Sequence, residues 1–458
     1  MVRMFFEFAG AFLLKLSLVP RGKMEGKNIS YKAIIVFTLP AIVSVGLEPM
    51  AEMIDTAVLG HVNTTWVGSL AATNACLGSF AWLFNFLSYG VTAQIAQSLG
   101  AEKKGALGAH ILTALLMALV IGVGVGALLL LFGHQLLGTV MGASGKLLAE
   151  SQLYYSIRVI GYPLTILSIS LIGILRGLQK ISLTMGIVLL TTLINAIGTY
   201  MAVFHYGWGI EGAAWATVVS FLVGDCVALS WLWKHRGDLG LGQGWKVDWN
   251  DVVNLGSDGL NLAGRTGTLT LSFFIITAFA TRLGTTVVAA YQVALQVWML
   301  AAYCMDGLAI TATSLGGQLL GGGDRTAHRL LASRLVNLGF GVGVCFFLFY
   351  SLAATWVQGL FTNRPEIMAQ LATIWFWLAA SQPINAIAYV YDGILFGSKD
   401  FAFLRKRMVE GFIFVFLPLV LWGFLKTESL LGLWMALIGL NVYRLFSGFW
   451  GCKKIYRL

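Results

Sequence analysis

Three carboxylates lie near the end of the first long apolar segment, in the stretch LEPMAEMIDTAVLGHV at residues 47–62. Glu48, Glu52 and Asp55 are spaced i, i+4 and i+7, which places them on one face of a helix. An ionised carboxylate at the centre of a bilayer helix costs about 3 kcal/mol on insertion scales. Three in a row therefore mark a stripe that meets a watery cavity. Carboxylates this close share protons and titrate as a group. The chemistry such a stripe can do is proton or cation loading. Pro49 lies within the stripe and removes the backbone hydrogen bond to the Val45 carbonyl, making a hinge where protonation can change helix shape.

A second set of charges is more dispersed. Arg265, in LNLAGRTGTLTLSFF, enters the seventh apolar segment, where an unpaired cation would be costly. Its expected partner is Asp392 of YVYDGIL or Asp306 of YCMDGLA. Asp225, in LVGDCVAL, is expected only to hydrogen-bond to a neighbouring helix. Trp82, Phe84, Tyr291, Trp298, Tyr303 and Tyr389 offer ring faces to an organic cation, although most such residues serve packing or the membrane interface.

The elements that must hold these groups are membrane spans. The chain has 58% hydrophobic and only 11% charged residues, against roughly 25% charged in soluble domains. Twelve apolar segments reach the length of about 20 residues that a span needs: 31–60, 66–98, 106–134, 150–175, 181–204, 209–233, 254–281, 286–318, 328–360, 367–396, 403–425 and 429–451. Basic residues fall on alternate loops, among them Lys103, Lys104, Arg176, Lys234, Arg236, Arg325, Arg405, Lys406, Arg407 and Lys454. The intervening loops hold little beyond Lys146, Arg282, Arg364 and Lys426. This predicts both termini on the cytoplasmic side of an inner (plasma) membrane. The net charge of +10 is thus topology, and nucleic acid is not an expected partner. Cys76, Cys226, Cys304, Cys345 and Cys452 form no CxxC pair and read as buried thiols, with no metal site expected.

Residues 1–30 read as a tail. Its apolar patch is broken by Lys15 and is too short to span, and LVPRG resembles a thrombin-type cleavage sequence, leaving Met24 as the natural beginning.

The chain also repeats itself. Thr56-Ala57 matches Thr277-Ala278, Thr64-Thr65 matches Thr285-Thr286, and QSLGAEKK from Gln97 matches QLLGGGDR from Gln318, all at an offset of 221. Pro163 and Pro383, Gly173 and Gly393, and Gly177 and Gly397 keep an offset of 220. Six spans separate the copies, so both halves have one orientation, as in transporters built from parallel repeats. The expected fold is an all-α membrane protein: a six-helix lobe at 31–233, a cytoplasmic linker at 234–252, and a second six-helix lobe at 253–458, related by a parallel pseudo-twofold repeat. Asp55 maps onto Ile276 and Asp392 onto Ile172, so the buried acids are additions to a symmetric scaffold.

LPAIVSVGLEPMAEMIDTAVLGHV, GVTAQIAQSLGAEKKG, LRGLQK and GWGIEGAAWAT resemble the multidrug and toxic compound extrusion (MATE) family, and MDGLA and DGILFGSKDF its DNA-damage-inducible-protein-F branch. The resemblance covers everything from about residue 30 onward. It implies a twelve-helix, two-lobed, cation-coupled exporter of amphipathic, often cationic compounds, with Asp55 of the DT motif as the coupling carboxylate. Two positions depart from the family pattern. Asn195 of the fifth segment is present, but Thr199 stands where many members have an Asp, and an acid of the tenth segment in another branch falls at Asn385, which is placed with the substrate cavity.

GxxxxGK[ST], HExxH and GxSxG motifs are absent, so no enzyme is expected. A channel would need a filter or ring of charge rather than dispersed acids. A lipid-linked precursor flippase of the same superfamily should have a cationic cavity, whereas the interior charge here reads as mainly acidic. The expected function is proton-coupled antiport by a monomer, with sodium as the alternative coupling ion, and no cofactor beyond H+ or Na+.

Overall fold

The structure, a computed structural model, describes residues 29–102, 104–241 and 249–456. The predicted tail, apart from residues 29 and 30, and residues 242–248 of the predicted linker lie outside the described residues. The described chain is helical throughout, with no strand among the described residues. Ten helices are long and apolar enough to cross a membrane, or eleven when one sharply bent pair counts as a single span.

The first half contains α1 (Tyr31–Gly60), α2 (Thr64–Leu83), α3 (Phe86–Gly100), α4 (Lys104–Gln135), α5 (Gly145–Ile160), α6 (Tyr162–Gly177), α7 (Ile181–Tyr200) and α8 (Gly209–Lys234). The second contains α9 (Trp249–Leu283), α10 (Thr285–Gly321), α11 (Arg325–Leu352), α12 (Ala354–Phe361), α13 (Pro365–Ala380), α14 (Gln382–Gly397), α15 (Phe401–Gly411), α16 (Leu417–Trp422) and α17 (Leu430–Ile455). π-helical turns extend α4, α7, α15 and α16.

Four of the predicted segments are split, the ninth at Ala353 into α11 and α12. The second breaks at Phe84-Asn85 into α2 and α3. The fourth breaks at Gly161 into α5 and α6, which meet at 50°. The tenth breaks at Ser381 into α13 and α14. Pro163 and Pro383 open α6 and α14, because proline lacks the N–H that a continuing helix would use. By contrast α1 runs unbroken through Pro40 and Pro49.

The repeat seen in the sequence recurs as paired contacts. Thr92 Oγ1 donates to the Gly173 carbonyl at 3.0 Å, and Thr313 Oγ1 to the Gly393 carbonyl at 3.0 Å. A Cβ on Gly173 would strike the Ser88 carbonyl, and one on Gly393 the Ala309 carbonyl. Only glycine permits so close an approach of two helices.

The two halves meet at the end of the bundle that carries the basic loops. There Thr38 and Thr311 hydroxyls lie 2.9 Å apart, Gln97 Nε2 donates to the Gly397 carbonyl at 2.8 Å, and Ser314 Oγ donates to the Arg176 carbonyl at 2.6 Å. Gln179 hydrogen-bonds Gln318, and His110 faces Asp251 at 3.3 Å. At the tightest point Gly100 abuts the Gln318 carbonyl while Gly321 abuts the Gln97 carbonyl. Farther along α1, toward the opposite end, Met50, Glu52 and Met53 are exposed.

Candidate functional site

Asp55 sits one turn before the end of α1 and is buried, at 6% exposure. Helix α7 brings two donors to it. Thr199 Oγ1 donates to Asp55 Oδ1 at 2.8 Å, and Asn195 Nδ2 approaches Oδ2 at 3.4 Å. Four residues apart, these side chains share one face of α7. Asn195 Nδ2 also donates to Thr217 Oγ1 on α8 at 3.0 Å, and Thr217 donates to the Ala213 carbonyl at 3.0 Å. Asn195 Oδ1 is buried and accepts no hydrogen bond from the protein. A buried acceptor without a donor is costly. A donor or a small cation entering the site would answer that oxygen.

The three acids of the predicted stripe have unequal settings. Asp55 is enclosed, whereas Glu52, three residues earlier, is exposed. The side chains of Glu48 and Trp82 lie outside the described residues. Arg158 of α5 is within electrostatic reach of both Glu52 and Asp55, and its guanidinium lies 6.0 Å from the Phe221 ring centre. The site is thus one buried carboxylate, one exposed carboxylate and one cation. Arg158 escaped the sequence reading, although a cation inside an apolar segment is the signal that reveals it.

The second lobe holds a different cluster. Asp392 of α14 hydrogen-bonds Arg265 of α9 through Oδ2. Arg444 of α17 reaches the same oxygen at 2.6 Å and donates to Asn441 Oδ1 at 2.6 Å. Side-chain exposures of 12%, 7% and 4% for Arg265, Asp392 and Arg444 leave one carboxylate between two cations, away from water. The Phe396 ring lies 5.1 Å from the Arg265 guanidinium and the Tyr389 ring 5.2 Å from that of Arg444, adding cation–π attraction. Arg444 was missed in the sequence, yet it stands alone among apolar residues in LNVYRLFSG. Asp306 is not the direct partner of Arg265: its Oδ2 accepts from Tyr89 of α3 at 2.7 Å, across the two lobes.

Several expectations are corrected. Tyr291 is fully buried against Trp434 in the interior of the second lobe, and Asn385 is 1% exposed and bonded to Ser381. Trp298 is 5% exposed, packed between Phe273 and Tyr389. Tyr303 packs beside Val45 and Ile310 where the lobes meet. The interior charge is not mainly acidic. Arg176, expected in a basic loop, is 6% exposed within the bundle and donates to Ser88 at 3.3 Å. With Arg158, Arg265 and Arg444 it balances Asp55, Asp225, Asp306 and Asp392. Asp225 does hydrogen-bond a neighbouring helix, accepting from Ser168 of α6.

Comparison with known proteins decides the family. The MatE family model matches residues 40–201 and 265–421, one stretch in each half of the chain. The chain belongs to the MatE family. Among its relatives, Protein DETOXIFICATION 44, chloroplastic, of Arabidopsis thaliana is 28% identical over 431 residues, covering 91% of this chain and 81% of that protein. DNA damage-inducible protein F of Escherichia coli K12 is 26% identical over 434 residues, covering 92% and 93%. A structure described as the outward-facing conformation of a multidrug resistance MATE family transporter of the MOP superfamily superposes with a TM-score of 0.83 at 20% identity, covering 93% of this chain and 96% of that one. This MatE protein is therefore a multi-span membrane transporter of small molecules, with the MATE fold.

Proposed function

We propose that this MatE protein is a proton-coupled antiporter that exports amphipathic, often cationic small molecules, and that Asp55 is the coupling carboxylate. The observation that carries this reading is the enclosure of Asp55 beside Asn195 and Thr199, with an unanswered acceptor oxygen on Asn195. Such a group can be loaded and unloaded as α1 moves against α7. Exposed Glu52, with Arg158 beside it, lies on the route between bulk water and Asp55. The bundle is closed at the end with the basic loops, and the positive-inside rule makes that end cytoplasmic. Toward the opposite, extracellular end α1 exposes Glu52, from which an incoming proton would reach Asp55 and displace an organic cation.

Energy suffices for one proton per cycle. Each charge moved across 100 mV contributes about 2.3 kcal/mol, and each pH unit adds ~1.4 kcal/mol. Together these sustain a concentration ratio of several hundredfold for a neutral substrate.

Sodium coupling is the second reading, supported by the same oxygens of Asp55, Asn195 and Thr199, which suit a hard cation. The interior arginines Arg176, Arg265 and Arg444 favour testing anions as well, the cargo class of a lipid-linked flippase. Efflux from proteoliposomes with imposed pH or sodium gradients and a panel of cations, zwitterions and anions separates these readings. Export that follows a sodium gradient at constant pH, and ignores a pH jump, overturns the proton assignment.

A further inference from the structure

Outside the coupling region, an open cavity lies between α15 and α17 at the end of the bundle that bears the basic loops. It encloses about 810 Å³. Arg405, Lys406, Arg407 and Lys454 contribute four cations to its wall, against two carboxylates from Asp400 and Glu410. Arg407 forms the back of the cavity. Arg407 is held by Glu410 at 2.6 Å and lies against the rings of Phe403 and Trp450, at 5.2 and 4.8 Å from their centres. Arg405, Lys406 and Lys454 are exposed.

The two helices continue from this basic mouth as apolar ladders. On the α15 side, Arg405 is followed at steps of four by Val409 and Ile413, and Phe414 lies beside them. On antiparallel α17, Lys454 is followed inward by Trp450 and Phe446, at the same spacing. Val409, Ile413, Phe414, Phe446 and Trp450 are 37%, 47%, 73%, 65% and 52% exposed. The pattern is cations at headgroup level, an aromatic at the interface, and about two helical turns, or roughly 12 Å, of exposed apolar surface below.

We infer that the α15–α17 cavity is a binding site for an anionic phospholipid of the cytoplasmic leaflet, with the phosphate among Arg405, Lys406 and Lys454 and the acyl chains against the paired ladders. A soluble anion would use the cations but leave the ladders without a partner. A neutral lipid would use the ladders but leave the net positive mouth uncompensated. Arg407 also borders the narrow gap that contains Arg265, Asp392 and Arg444, so the headgroup lies one side chain from the buried charge cluster of the second lobe.

The test uses the purified full-length protein in nanodiscs supplied with equal phosphatidylglycerol and phosphatidylcholine, with retained lipid counted by native mass spectrometry. Wild type should retain phosphatidylglycerol at least about tenfold better, and millimolar inorganic phosphate should not displace it. The variant R405Q/K406Q/K454Q should lose retention by roughly a hundredfold, at about 1 kcal/mol per cation. K234Q/R236Q/R325Q removes three exposed cations elsewhere at the same end and should retain lipid as wild type does. Phe446→Ser alters only the apolar ladder and should weaken retention, giving a readout should the basic-site variant fail to fold. Absence of a lipid preference, equal loss in the control triple, unchanged retention in the basic-site variant or in Phe446→Ser, or displacement by phosphate would each overturn the proposal.

Discussion

Thr199 donates to Asp55 across 144 residues of chain, with Oγ1 2.8 Å from Oδ1. At the position where many family members are expected to carry a second acid, this protein places a hydroxyl that serves the first. A Thr199→Val variant keeps the shape but deprives a buried carboxylate of its best donor, which costs about 1.5–3 kcal/mol while Asp55 is ionised. Its stability deficit relative to wild type should therefore be present at neutral pH and shrink as the pH falls far enough to protonate Asp55. Thermal unfolding over a pH series reads this directly. A deficit constant across pH would mean that Thr199 acts by packing alone.

Asp55→Asn retains the shape and one acceptor for the α7 donors but cannot exchange a proton. Gradient-driven efflux should fall to that of protein-free liposomes, while the size-exclusion profile stays that of wild type. Full coupled transport by this variant would remove Asp55 from the mechanism.

Asp392 lies between two arginines, so its substitution should be the most harmful change in that cluster. Asp392→Asn leaves two buried cations facing each other, at a cost of about 3–5 kcal/mol. Arg265→Gln still leaves Asp392 paired with Arg444 and should cost less. Adding Arg265→Gln to Asp392→Asn should recover part of the loss, measurable as a double-mutant cycle in thermal unfolding. Strict additivity would show that the arginines do not share the carboxylate energetically.

Gly100→Val should prevent the halves from closing at the basic-loop end, because a side chain there meets the Gln318 carbonyl. Ser314 is fully buried behind that contact. With the native cysteines replaced, a cysteine substituted at Ser314 should resist a membrane-impermeant thiol reagent from the basic-loop side in the parent and react in the Gly100→Val variant. Equal protection in both would show that the seam closes without the glycine.

Much of this architecture was legible because hydropathy, charge placement and repetition are local or periodic properties of a chain. The spans and the matched Gly173 and Gly393 trace to such patterns, whereas the pairing of Arg265 with Asp392 rather than Asp306 was narrowed only by the cost of leaving a buried charge alone. Arg444 and Arg158 were harder, since nothing in sequence spacing says which charge on a distant helix will face which. The burial of Tyr291 and Asn385 was not legible for a related reason. Their burial depends on how each helix is rotated within its lobe, and an apolar segment with little amphipathic contrast does not encode that rotation. The break at Phe84-Asn85 left no proline to announce it, unlike those beside Pro163 and Pro383.

Gly100 meets the carbonyl of Gln318, and Gly321, its counterpart by the repeat, meets the carbonyl of Gln97, the counterpart of Gln318. This reciprocity is the signature of an isologous interface, the form taken by two identical subunits about a twofold axis. At these glycine contacts the two halves meet as two copies of one subunit would. Either half expressed alone should be prone to self-association through this patch, and cross-linking at residue 100 or 321 would register it.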